Sequence, residues 1–126
     1  MESAIDEGRS VYPALAALLG DDVCRVSLVL CVFHHVVNND LRQMEHAAVA
    51  GRWAQVRQLA HRAVWGCRFI GEEWAADALA TVERAAHDAA DRDSLARTFW
   101  DAHKALVAVL DRAAAYAGLH VKDRSG

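Results

Sequence analysis

Apolar residues recur at steps of three and four along most of the chain, which is the spacing of one buried face of an α-helix. The clearest stripe comprises Val26, Leu30, Phe33, Val37, Leu41, Met44 and Ala48. The segment around this stripe is rich in valine and resembles a strand in composition, but its period favours a helix. We predict a long helix that begins near Asp21 and Asp22.

Breaker residues mark the helices on either side of that stripe. Pro13 stands in the first turn of a short helix predicted over 13–19, and Gly20 closes it. After the long helix, Gly51 interrupts the pattern, and a helix is predicted over 52–70. Proline is common in the first turn of a helix and glycine just past the last turn, so Pro13, Gly20 and Gly51 indicate helix boundaries.

Two more helices complete the pattern. One follows Gly71 and is predicted over 72–89, with acidic residues at its start. Ser94 or Asp93 is expected to cap the last helix, which ends near Gly118. Their inward positions are Ala75, Ala78, Leu79, Val82 and Ala86, and then Leu95, Phe99, Ala102, Leu106, Val109 and Ala113. Long amphipathic helices with short connections predict an all-α fold, an antiparallel four-helix bundle with a short extra N-terminal helix.

Composition indicates a single domain of ordinary character. The chain has 126 residues, 54% hydrophobic and 25% charged, and a net charge of −3, which does not suggest a nucleic-acid binder. We predict a folded domain over 11–118, with flexible segments at 1–10 and 119–126. The longest apolar run, 26–37, is too short to cross a bilayer. We therefore expect a cytoplasmic domain with no membrane segment.

Three cysteines, Cys24, Cys31 and Cys67, include no C-x-x-C pair. An odd number without that pairing argues against both a disulfide framework and a zinc knuckle. We expect all three to be small buried hydrophobic residues in a reducing compartment.

The helix over 52–70 places one histidine on its solvent face. At about 100° per residue, the apolar positions fall on the side opposite His61. They are Val56, Leu59, Ala63, Cys67 and Ile70. We therefore expect His61 to be exposed near the middle of this helix, either as an ordinary surface residue or as a reactive one.

Charge and aromatic residues add to this face. Between Glu45 and Glu72 the chain has four arginines and no acid, so we expect no acid near His61. Arg57 and Arg68 lie within about 40° of His61 on the helical wheel. Such a basic face suits an anionic phosphoryl group, although a plain solvated face has the same composition. Trp65 and Phe69 also lie off the core side, where they form a docking surface or pack under a neighbouring element.

Other chemistries lack their motifs. A di-iron bundle needs Glu-x-x-His on facing helices, and that spacing does not occur; His34 and His35 are adjacent and point about 100° apart. The other histidines, His46, His87, His103 and His120, have no motif around them, so we interpret all six as structural or surface residues. There is no P-loop, GxGxxG or kinase nucleotide-binding box, and we expect no phosphorylation from ATP.

Residues 59–71, Leu-Ala-His-Arg-Ala-Val-Trp-Gly-Cys-Arg-Phe-Ile-Gly, resemble the signature of histidine-phosphotransfer (HPt) domains. The residues that match in register are Ala60, His61, Ile70 and Gly71, and Gly66 and Cys67 match the small residues of the signature. The resemblance covers roughly residues 12–117 and is closest to the C-terminal HPt modules of hybrid sensor kinases. It implies a phosphoryl carrier on His61 without kinase activity or a cofactor of its own. The implied partner is a receiver domain of a response regulator or hybrid kinase, which supplies the aspartate and the magnesium.

Two positions depart from the family pattern. Val64 stands where the family has a lysine beside the phosphorylated nitrogen, and Trp65 replaces a glycine that leaves room for the receiver. Two interpretations stay open: a relay through His61, in which Arg57 or Arg68 supplies the missing charge, and a docking module that binds a receiver or kinase without carrying phosphate. The residues predicted to contact phosphate or partner are Arg57, Gln58, Arg62, Val64, Trp65, Arg68 and Phe69.

Overall fold

The computed structural model describes residues 12–88 and 91–118, and every secondary-structure element in them is an α-helix. The predicted flexible segments, 1–10 and 119–126, lie outside the described residues. The five helices are α1 (Pro13–Leu18), α2 (Val23–Val49), α3 (Trp53–Ile70), α4 (Glu73–His87) and α5 (Arg92–Ala117). Each begins and ends within about two residues of its predicted bounds, and the all-helical prediction is confirmed.

The long helices contact one another in the order of the chain. Helix α3 packs against α2 and α4, and α5 packs against α4 and returns to α2, while α1 touches α2 and α3. The predicted stripe of α2 is buried along its whole length. The predicted positions of α5 are buried as well. In α4, Ala78 and Ala86 are only partly covered.

Aspartates cap the two longest helices. Asp22 precedes α2 and accepts hydrogen bonds from the backbone N–H groups of Cys24 and Arg25, at 3.0 and 3.2 Å. Asp91 caps α5 and accepts from the Ser94 N–H at 3.0 Å, so the prediction of Ser94 or Asp93 as the cap was wrong. Both hydrogen-bond donors of Ser94, backbone and hydroxyl, lower the pKa of Asp91 because they favour its charged form.

Two glycines of α3 have distinct positions, one at the C-terminal end of the helix and one on the face that contacts α2. Gly71 ends the helix at φ 89°, a left-handed conformation that residues with a Cβ rarely adopt. Within the helix, Gly66 faces α2, and a Cβ there would lie 3.4 Å from both Phe33 and Val37. A methyl group at position 66 would therefore be in van der Waals contact with α2, which identifies Gly66 as part of the face of α3 that packs on that helix.

A partly buried polar cluster connects the starts of α1 and α4 to α5. Tyr12, only 1% exposed, donates its hydroxyl hydrogen to Glu72 at 3.1 Å, and Arg112 of α5 binds the same carboxylate through Nε and Nη2. Burial, with the nearby Glu72 charge, raises the pKa of the Tyr12 phenol well above its usual value. The turn between α3 and α4 is thereby held against α5.

The cysteines differ in exposure, which corrects one expectation. Cys67 is buried and Cys31 partly buried, but Cys24 is exposed at the start of α2. Burial raises the pKa of the Cys67 thiol to about 12, so that thiol is unreactive near neutral pH. Among the described helices, none is long and apolar enough to span a bilayer.

Candidate functional site

His61 lies on the outer face of α3, as the helical wheel predicts. Its side chain is 57% exposed. The five residues expected on the opposite side are all buried, namely Val56, Leu59, Ala63, Cys67 and Ile70. Because α3 packs on the core through its opposite face, the imidazole of His61 stays at the surface and is not part of the core.

Helix α4 brings a carboxylate to the imidazole. Glu83, which is only partly exposed, lies with its Oε2 2.6 Å from His61 Nδ1. The expectation that no acid lies near His61 was wrong, because the stretch between Glu45 and Glu72 lacks acids but the packing of α4 on α3 supplies one. The sequence gives no signal for this pair, since the two residues are 22 positions apart on different helices.

The other ring nitrogen also has a partner. Trp65, one turn along α3, has its indole Nε1 3.3 Å from His61 Nε2, and the two rings meet edge to face with centroids 6.3 Å apart. The indole itself is 64% exposed. The expectation that Trp65 and Phe69 lie off the core side is confirmed, since both are exposed.

These two contacts agree on one tautomer. An ionised carboxylate only accepts and an indole N–H only donates. Nδ1–H of His61 therefore donates to Glu83, while the Nε2 lone pair accepts from Trp65. The nucleophilic nitrogen of the neutral ring is Nε2, the one that points away from the carboxylate.

The arginines of α3 have different surroundings. Arg68 donates to Glu73 at 2.6 Å and to Asp77 at 3.4 Å, so two acids already balance its charge. Arg57 is exposed and forms no ion pair or hydrogen bond with any residue in 12–88 or 91–118. Of these two arginines, Arg57 has no acidic partner within the described residues, whereas Arg68 has two.

Arg62 belongs to a structural pair that sequence reasoning missed. Its guanidinium binds Asp40 of α2, a carboxylate that is only 3% exposed. A charge so deeply buried needs a partner, and Arg62 provides it. The signal was present in the sequence, because Asp40 lies three residues after Val37 and four before Met44, on the buried stripe.

Two predicted contact residues turn out differently. Val64 is only 7% exposed, so it cannot touch a partner, and its assignment to the contact surface is corrected. A wheel angle about 60° from His61 did not reveal that neighbouring helices cover it. Gln58 is exposed and, with Arg57 and Glu83, lines a shallow depression of about 530 Å³ around His61.

An apolar groove runs between α2 and α3. It has a volume of about 570 Å³ and is lined by exposed Leu28, Val32, Val36 and Phe69, with Gly66 on the α3 side. Arg62 and Asp40 also border it. Phe69 follows His61 by eight residues, about 12 Å along the helix axis. The imidazole and the apolar groove thus share one helix.

Another histidine forms a similar pair in a different setting. His103 of α5 has Nε2 2.5 Å from Glu45 Oε2 of α2, and its side chain is 20% exposed. Its ring lies against Phe99 and Trp100, with centroids 6.0 and 5.0 Å away. This pair links two helices, and its imidazole is far less exposed than that of His61. Of the other histidines, His35, His46 and His87 are exposed, His34 is partly buried, and His120 lies outside the described residues.

The site therefore combines one oriented imidazole, an exposed arginine without an ion pair among the residues that the structure describes, and an apolar groove. Within the described residues, no group of three or more histidine, cysteine, aspartate or glutamate side chains is placed to hold a metal ion. When the chain was compared with known protein families, with curated proteins and with solved structures, nothing matched.

Proposed function

We propose that this chain is a histidine-phosphotransfer domain that carries a phosphoryl group on His61 between receiver-domain aspartates in a cytoplasmic two-component phosphorelay. The observation that carries the proposal is the exposed imidazole whose Nδ1 is held by Glu83 at 2.6 Å. That contact leaves Nε2 as the outward-facing nucleophile. The resemblance of residues 59–71 to the HPt signature supports the same histidine as the proposed carrier.

The proposed architecture is an antiparallel four-helix bundle with α1 as an additional short helix. Its support is the closed order of contacts, α2 with α3, α3 with α4, α4 with α5 and α5 with α2. Connections of a few residues between successive helices also favour antiparallel neighbours. In such a bundle one face of α3 remains open to a partner.

The transfer step needs little from this chain. The Nε2 lone pair attacks the phosphorus of the receiver's aspartyl phosphate, a P–N bond forms, and the P–O bond to the aspartate breaks, which regenerates its carboxylate. The imidazole gains positive charge as Nε2 is phosphorylated, and it keeps its proton on Nδ1. Glu83 faces that nitrogen, so its negative charge opposes the charge that develops in the ring.

Arg57 is proposed to stabilise the phosphoryl oxygens. It is exposed, on the same side of α3 as His61, and its charge is not engaged within the described residues. The receiver contributes the aspartate and the magnesium ion, so the domain itself has no cofactor in this scheme. Without a nucleotide-binding motif it acts as a carrier and not as a kinase.

The receiver is proposed to dock over α3 and the neighbouring apolar groove. Exposed Leu28, Val32, Val36 and Phe69 form a larger apolar surface than scattered single residues would. Because α3 carries both His61 and one wall of the groove, a single partner can cover the groove and reach the imidazole at the same time.

One observation favours a second candidate function, a docking module that binds a receiver or kinase without carrying phosphate. Trp65 occupies the space beside Nε2 and donates a hydrogen bond to it. A large indole in this place provides an interface anchor but stands in the way of an incoming phosphoryl group.

Transfer from purified receiver domains separates the two candidates. A panel of receivers is phosphorylated with labelled acetyl phosphate, mixed with the full chain, and assayed for binding by calorimetry and for label on His61. A relay predicts an acid-labile, alkali-stable label that disappears in His61→Gln. Binding by a receiver without any label on the chain would overturn the relay in favour of docking.

A further inference from the structure

Trp65 donates a hydrogen bond to Nε2 of His61, the nitrogen that is proposed to accept the phosphoryl group. Its Nε1–H lies 3.3 Å from Nε2 of His61, and the tautomer set by Glu83 makes that nitrogen the acceptor. A lone pair engaged in a hydrogen bond is not free to attack an electrophile. The edge-to-face contact, with ring centroids 6.3 Å apart, also places the indole beside the line of approach.

Little else holds the indole in this position. Trp65 is 64% exposed, and within residues 12–88 and 91–118 its side chain has no other hydrogen bond and no other ring contact. A rotamer change that moves the ring from His61 therefore breaks one weak hydrogen bond and an edge contact. Such side-chain rotations at a surface are fast compared with docking.

A docking partner can stabilise the open position. Phe69 lies four residues after Trp65 on the same side of α3 and is also exposed, and it borders the apolar groove. A receiver that covers Phe69 offers an apolar surface to the displaced indole. Aromatic side chains of this kind commonly act as interface anchors.

We infer that Trp65 is a specificity-determining residue that caps Nε2 in the free protein and uncovers it when a partner docks. Small electrophiles that cannot displace the indole then react slowly with Nε2. A docked receiver displaces the indole and reaches the nitrogen. The inference rests on the proposed role of Nε2 as the phosphoryl acceptor. It adds that access to that nitrogen depends on docking.

The first test uses a reagent that reports on Nε2 without any phosphate chemistry. Diethyl pyrocarbonate is attacked by a neutral imidazole nitrogen, which forms an N–C bond and releases ethyl carbonate. Peptide mass spectrometry follows its rate at His61 relative to exposed His46 in the same chain. Trp65→Phe keeps an aromatic ring but removes the N–H, and Trp65→Ala removes both; Trp74→Phe changes another exposed tryptophan.

The cap predicts that His61 reacts about 3- to 10-fold faster in Trp65→Phe than in wild type, which corresponds to the loss of one exposed hydrogen bond. Trp65→Ala should be at least as fast, and Trp74→Phe should match wild type. Equal rates at His61 in wild type and both Trp65 variants would overturn the cap.

The second test uses phosphoramidate, whose P–N bond breaks with release of ammonia as the His61–phosphorus bond forms. Phosphorus NMR should show the same order of rates among the variants. Equal phosphorylation of wild type and Trp65→Phe would remove the cap and leave the relay standing. Faster acylation of the Trp65 variants with no phosphorylation of any of them would support the cap and count against the relay.

Discussion

Two histidine–carboxylate pairs in this molecule have nearly the same length and opposite character. His61 is bonded to Glu83 at 2.6 Å through Nδ1 and has a side chain 57% exposed, while His103 is bonded to Glu45 at 2.5 Å through Nε2 and is 20% exposed. The ring of His103 also lies against Phe99 and Trp100. The carboxylate alone therefore does not mark a reactive histidine.

The difference lies in what each carboxylate leaves available. Glu83 approaches from α4 and leaves the outer nitrogen of His61 towards solvent and Trp65. Glu45 takes the outer nitrogen of His103 and connects α2 to α5. Each carboxylate thus leaves the other ring nitrogen with its lone pair, which is Nε2 in the exposed ring of His61 and Nδ1 in the mostly covered ring of His103.

Replacement of each histidine should give the largest contrast. We expect His61→Gln to abolish phosphoryl acceptance from a phosphorylated receiver while the free energy of unfolding changes by less than about 0.5 kcal/mol, because the side chain is exposed. His103→Gln should keep acceptance and lose about 1 kcal/mol of stability with its hydrogen bond. Label incorporation and urea unfolding measure the two effects. Labelling of His61→Gln at the wild-type level would show that His61 is not the phosphoryl acceptor.

Replacement of each carboxylate should give the next largest contrast. In Glu83→Ala the proton of His61 can occupy either nitrogen, and we expect transfer to slow by roughly 10- to 100-fold, as when a carboxylate that orients a metal-binding histidine is lost. Glu45→Ala should leave the transfer rate unchanged. Nitrogen NMR of the His61 ring should show one tautomer in wild type and a mixture in Glu83→Ala. A single unchanged tautomer would contradict the orienting role.

Two arginines of α3 extend the comparison with a smaller effect on rate. Arg57→Ala should slow transfer only a few-fold, because the guanidinium is exposed and screened by salt, and the loss should shrink as salt is added. Arg62→Ala should leave the buried Asp40 carboxylate without its cation and lower the free energy of unfolding by about 3 kcal/mol. Transfer kinetics at two salt concentrations and urea unfolding test these outcomes. A large loss of stability in Arg57→Ala together with slower transfer in Arg62→Ala would contradict these assignments.

Much of the fold was predictable because it depends on local patterns. The burial period of three and four places the α2 stripe and fixes which side of α3 faces the core, so the exposure of His61 follows from residues within one helix. Gly71 ends α3 where the sequence indicates. The cap of α5 was misassigned because aspartate and serine occur at neighbouring positions, and only the backbone geometry selects Asp91.

The contacts that define the site were not predictable from those patterns. Glu83 reaches His61 only through the register in which α4 packs on α3, and no local spacing reports that register. Val64 lies near the His61 face by its wheel angle, yet it is buried because a wheel describes one helix and not how far its neighbours wrap around it. A charge count along α3 likewise missed that Arg62 and Arg68 are already paired.

The central claim is that His61 reacts through Nε2, and one measurement tests it directly. The chain, labelled with ¹⁵N-histidine, is phosphorylated by a receiver, and phosphorus–nitrogen coupling in the NMR spectrum identifies the nitrogen that carries the phosphoryl group. We expect a single phosphohistidine at His61 with phosphorus on Nε2. Phosphorus on Nδ1, on another histidine or on no histidine of the chain would contradict it.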